Sequence, residues 1–110
     1  MENNKIIKYA QNNFKKIDGI INLYTMTFVF VSKKIAKTIG YTQNELIDKR
    51  VRDVVMIDYT SLITSGSKDS KKDIKTLITK DGKKVKSTAD IKPFKFEGED
   101  FIVILNMLIN

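Results

Sequence analysis

The 110-residue chain contains no cysteine, no histidine and no tryptophan, and it has one proline. Without cysteine there is no disulfide, no thiolate nucleophile and no zinc–thiolate site. Without histidine the chain lacks the commonest general base and metal ligand, an imidazole axial ligand for haem, and the phosphoacceptor of a histidine kinase. These absences exclude most enzyme classes. No apolar run approaches the about 20 residues of a membrane span, and the opening "MENNKIIKYAQNN" has no apolar centre of a signal peptide. The expected location is therefore cytoplasmic. At this length one domain is expected, with enough chain to close a core without staples.

Acids are outnumbered by bases, 13 to 20, for a formal charge of +7. Nucleic acid or an anionic surface is the usual inference from such a balance. Here the only arginines are Arg50 and Arg52, and the lysines are scattered over every segment. Arginine is the better reader of phosphate and bases, so the lysines read as a solvated surface. Nucleic acid is not the expected partner; were it one, Lys83, Lys84 and Lys86 would be the contact.

Residues 3–17 place Ile6, Ile7, Ala10, Phe14 and Ile17 at helical spacing, an amphipathic helix that needs a surface to cover. Gly19 breaks that pattern. "GIINLY" and "TFVFVS" then read as two strands joined at Tyr24–Thr27, the second apolar on both faces. Ser32 caps a short helix to Ile39, and Gly40 supplies the left-handed residue after it. At once Thr42 and Glu45 form a T-x-x-E capping box, with Tyr41 and Leu46 at the positions of a hydrophobic staple. "KRVRDVVMIDYTSLITSG" reads as short helical pieces, with Asp58 as a cap for a turn carrying Leu62 and Ile63. Residues 65–72 read as an exposed loop.

The rest is strand. "DIKTLITK" leads to Asp81-Gly82, a strong hairpin dipeptide. "KKVKSTADIKPF" returns with Val85, Ser87, Ala89 and Ile91 on one face, and Pro93 at its end or margin. Gly98 marks a second turn before "DFIVILNMLI", apolar on both faces. All five glycines are expected at breaks. The order predicts an α+β domain: a five-stranded antiparallel sheet, short helices on one face, and the amphipathic helix on the other. The expected division is a helix at 1–17 and a core at 18–110.

The segments "FVFVSKKIAKTIGYTQNELIDK", "ITKDGKKVKSTADIKPF" and "FIVILNMLI" resemble, in order, the strand–helix–GY[ST]xxEL run, the KDG hairpin and the last strand of PAS domains. The resemblance covers about residues 17–110. It departs at Tyr24–Thr27, where the family commonly has an Asp-x-x-Gly turn, and at Ser32, where Asn is usual. The closing Asp-Ile-Thr is absent, with Asn106 nearby. The resemblance implies a sensory domain of a bacterial-type signal transduction protein, such as a histidine kinase, diguanylate cyclase or transcriptional regulator. Its covalent output domain is expected outside this chain.

The resemblance also implies a pocket between sheet and short helices. No cysteine is present for a flavin adduct and no histidine for haem, so no coloured cofactor and no metal are expected, and a small organic ligand remains as an option. The residues for such a pocket are Tyr24, Met26, Phe28, Phe30, Met56, Tyr59, Ile63, Ser87, Ala89, Val103, Leu105 and Asn106, with Arg50 and Arg52 at its mouth for an anion. Ordinary core packing is the competing reading for each. Ile6, Ile7, Ala10 and Phe14 are the expected homodimer contacts, with Phe28, Phe30 and Ile104 offered by the sheet. The alternative is a ligand-free dimerisation module. No enzyme is expected, because Glu45, the most constrained acid, is explained by capping.

Overall fold

The computed structural model describes residues 2–56 and 71–109, and side chains within 4–56 and 74–109. The expected pieces at Asp58, Tyr59, Leu62 and Ile63, and the loop at 65–70, lie outside them. The chain runs α1 (Glu2–Asn13), β1 (Ile17–Asn22), β2 (Thr27–Val31), α2 (Lys33–Thr38), α3 (Gln43–Leu46), a 3-10 turn at Val51–Asp53, β3 (Val55–Met56), β4 (Lys71–Ile78), β5 (Lys84–Phe96) and β6 (Glu99–Ile109). The strands form one antiparallel sheet in the order β2-β1-β6-β5-β4-β3. The α+β class and antiparallel sheet match the expectation. The sixth strand is β3, two residues pairing Val55 with Leu77 and Met56 with Thr76 in a segment expected to be helical. No described helix is long and apolar enough to cross a membrane.

Four local expectations differ from the structure. The first helix stops at Asn13, whose side-chain amide donates to the Tyr9 carbonyl, and Lys16 turns left-handed (φ 58°). Ile17 therefore enters the sheet instead of ending the helix. Gly19 sits inside β1 and not at a break. A Cβ there would lie 3.1 Å from the Ile104 side chain, so the glycine allows close approach across the sheet. β4 begins at Lys71, so part of the expected loop is strand. Pro93 lies within β5, opposite Ile102, beyond Ile91 where the pairing with β4 ends. Among the described residues that stretch of β5 has no neighbour on its β4 side, and a missing N–H is tolerated at such a margin.

The helical layer forms as the local sequence dictates. The Ser32 hydroxyl accepts from the Ile35 N–H, and Thr42 and Glu45 complete the reciprocal capping box, at 3.2 and 2.9 Å. Gly40 has φ 88°, and its open side faces Lys80. The sharp helix-to-helix junction has a tertiary purpose: it docks on the β4–β5 hairpin. The Lys80 N–H donates to the Ile39 carbonyl, and the Lys80 ammonium reaches Glu45 at 2.5 Å. Tyr41 lies under the ammonium groups of Lys49 and Lys80 and packs on the same core that buries Leu46.

Lys80, and then the Thr42 N–H, hold the Glu45 carboxyl below its ordinary pKa of 4.5. A carboxyl with a lowered folded pKa contributes stability in full above the unfolded value, and loses it as pH falls through the folded one. Urea unfolding is expected to show a decline in stability beginning near pH 4.5 on acidification, shallower in Glu45→Gln. Thr42→Ala is expected to cost about 1 kcal/mol at neutral pH in the same measurement.

Candidate functional site

Two cores flank the sheet. On the inner side Ile21, Phe28, Val31, Leu77, Ala89, Ile104 and Met107 meet Ile35, Ala36 and Ile39 of the first short helix region, Leu46 of α3, and Val51 and Val54. On the outer side Ile6 and Ala10 of α1 cover Ile20, Val29, Phe101, Val103 and Leu105. Phe94 stacks on Phe101 at 5.5 Å between ring centres, and Phe14 and Tyr9 close over that end.

The inner layer, where a ligand was expected, holds a cavity of about 30 Å³. Its described lining is apolar (Phe28, Val31, Ile35, Ile39, Leu46 and Val54 among others), with Asp18 the one ionisable side chain. A site for a small organic molecule is typically about 300 Å³ or more, whereas about 15 Å³ suffices for a water. A larger depression, about 240 Å³, lies on the surface between Leu23 and the Phe94–Phe101 end of the last hairpin. It is outside the sheet–helix layer and is flanked by the Lys95–Asp100 ion pair.

The expected pocket residues separate. Phe28, Ser87 and Ala89 lie in the inner layer, where the Ser87 hydroxyl donates to the Lys75 carbonyl at 3.1 Å. Val103 and Leu105 belong to the opposite face, under α1, while Ile104 faces inward. The sequence places β6 one residue out of phase because it is apolar on both sides, and alternation then carries no sign. Phe30 also packs outward: β2 is irregular between the Ile20–Phe30 and Ile21–Phe28 pairs, so alternation fails across Val29. Tyr24 is 91% exposed in the β1–β2 turn, and Met26, Met56 and Asn106 are exposed as well. In that turn the Asn22 side chain accepts from the Tyr24 and Thr25 N–H groups, and Met26 takes the left-handed conformation at φ 55°. Arg50 and Arg52 are exposed beside the 3-10 turn and do not line the cavity. Tyr59 and Ile63 lie outside the described residues.

Of the residues expected to face a second chain, Ile6 is 3% and Ala10 0% exposed, with Ile7 and Phe14 packed beside them. Their apolar face is occupied by the chain's own sheet.

Asp18 went unremarked in the sequence. It sits in β1 where the pairing with β6 skips from Ile17–Leu105 to Gly19–Ile104, and it is buried. One side-chain oxygen accepts from the Ser32 hydroxyl at 2.8 Å and the other from the Met107 N–H at 2.7 Å. Its own carbonyl accepts from the Ser32 N–H. Asp18 thus ties the N-terminus of α2 to the far end of β6, next to Asn106, which is left-handed at φ 52°. The only signal for it was an acid inside an otherwise apolar "IDGII" run.

No family model and no curated protein matches the chain. Solved structures do. A PAS domain from a two-component sensor histidine kinase superposes with a TM-score of 0.70 at 11% identity, over 96% of this chain and 95% of that one. The PAS domain of an HTR-like protein from Haloarcula marismortui gives 0.65 at 18% identity, over 97% and 93%. The chain has the PAS fold.

Asp18→Ala removes the acceptor of the Met107 N–H together with that of the Ser32 hydroxyl. A buried donor left without its acceptor costs about 1–3 kcal/mol. Urea unfolding is expected to report a loss in that range, with faster hydrogen exchange at the Met107 amide.

Proposed function

We propose that this chain is a signalling module of the PAS type that works through protein–protein contact and not through a bound small molecule. The observation that carries the reading is the described part of the inner layer, whose cavity of about 30 Å³ has room for water and not for a metabolite. Among the described residues, the buried Ser87 hydroxyl and the Asp18 side chain are engaged with the chain itself and not turned to a ligand.

The fold neighbour from a two-component sensor histidine kinase supports a place in signal transduction. The output would be carried by a domain outside this chain, and the setting is read as cytoplasmic from the sequence. The module is read as non-catalytic: the constrained acid Glu45 is used by Thr42 and Lys80 in holding the fold.

Native mass spectrometry of gently purified protein tests this. The expected spectrum shows the 12.6 kDa chain or whole multiples of it, with no adduct. A stoichiometric small-molecule adduct that disappears on denaturation would overturn the reading in favour of a ligand sensor.

A further inference from the structure

The side chains that α2 turns to solvent are Lys33, Lys34, Lys37 and Thr38. Thr38 returns its hydroxyl to the Lys34 carbonyl, so the free face of the helix carries three ammonium groups. Two of them stand where the helix disfavours them. Lys33 and Lys34 occupy the first turn, which holds no acid, and positive charge there opposes the helix dipole. Lys37 is four residues from Lys33 and three from Lys34, so like charges meet on one face. α2 is six residues long and has little stability of its own to set against this.

The acids around α2 are engaged with other groups. Lys80 of the β4–β5 turn, whose N–H donates to the Ile39 carbonyl, is paired with Glu45, and Lys83 with Asp81. Asp18, beside the start of α2, is buried and gives its side-chain oxygens to Ser32 and Met107. Among the described residues, none of the three α2 lysines has an ion-pair partner. The helix that carries them is nonetheless firmly placed. Ile35 and Ala36 are buried beneath it, Ser32 anchors its start, and the Tyr41 N–H closes on the Ala36 carbonyl near its end.

We propose that this face of α2 is the docking surface for an acidic helix of a partner protein. Carboxylates three or four residues apart on a helix stand about 5–6 Å from one another, the spacing that Lys33, Lys34 and Lys37 present. Such a partner supplies the negative charge that the first turn lacks and relieves the repulsion among the lysines. Single-stranded nucleic acid fits the face less well, because its sites combine cations with exposed aromatic rings on which bases stack. α2 has no aromatic residue, and the ring of Tyr41 beyond its end lies under Lys49 and Lys80. This inference rests on the reading of the chain as a protein-contact module and names the chemistry of its partner.

Amide chemical-shift mapping of the full chain tests it, with an alanine-based helical peptide carrying glutamates one turn apart as the probe. Shifts are expected to concentrate at residues 33–38, and binding to weaken as salt rises. The triple variant Lys33→Glu, Lys34→Glu, Lys37→Glu is expected to bind about tenfold or more weakly. The triple variant Lys84→Glu, Lys86→Glu, Lys92→Glu makes the same change of net charge at exposed positions of β5 and is expected to leave the affinity nearly unchanged. Thermal unfolding of each variant checks that the fold is kept. Lys34→Glu alone separates contact from structure: it is expected to raise the urea midpoint, because an acid suits the first turn, while weakening the peptide. A Lys34→Glu variant that binds as the wild type does, equal loss in the β5 variant, or shifts spread over the lysines of every segment would overturn the site. Tighter binding of oligothymidylate than of the peptide at residues 33–38 would overturn the occupant in favour of nucleic acid. A small-molecule adduct in the native mass spectrum would instead overturn the underlying reading and leave the mapping to stand by itself.

Discussion

The central constraint is that β6 is apolar on both faces and lies between β1 and β5 near the middle of the sheet. A strand of this kind is stable only if both sheet faces are covered. Ile104 and Met107 demand a layer on one side, and Phe101, Val103 and Leu105 demand one on the other. Among the described residues, two very short helices and a 3-10 turn meet the first demand, and one three-turn helix meets the second.

Helices as short as α2 and α3 do not hold themselves together, because nucleation costs more than one or two turns return. Caps and tertiary contacts must supply the difference. The GYTQNEL and KDG segments, separate in sequence, are two halves of one contact that does so. Gly40 opens the approach to Lys80, the Ile39 carbonyl takes its N–H, and Glu45 takes its ammonium while also closing the capping box. The same residues thus end one helix, start the next and fasten both to the sheet.

This explains what could be read from the sequence. Ser32, Thr42–Glu45 and the turn glycines Gly40, Gly82 and Gly98, all with positive φ, are local devices whose chemistry is visible in a few consecutive residues. The strands were legible through turn signals and apolar runs. What failed was the facing of residues wherever alternation loses its meaning. From Phe101 to Leu105 every position of β6 is apolar, so alternation assigns Val103 and Leu105 inward and Ile104 outward, the reverse of the structure. In β1 and β2 bulges shift the phase, so Phe28 and Phe30 do not share a face. The edge strand β3 was missed because two residues carry no periodicity. The expected pocket residues separate for the same reason, and apolar spacing by itself does not say whether the first helix covers its own sheet, a second chain or both.

Asp18 is the residue at which these parts meet. Its side chain joins the capping serine of α2, which belongs to the inner layer, to the Met107 backbone near the end of β6. Lys16 and Asn106, both left-handed, are joined there by the Asn106 N–H to the Lys16 carbonyl, so the end of α1 meets the same point. A shift of α2 against the sheet must either break the Ser32–Asp18 bond or carry the Asp18 side chain with it, so the start of α2 and the backbone at the end of β6 are held in one relative position by a single buried carboxyl group.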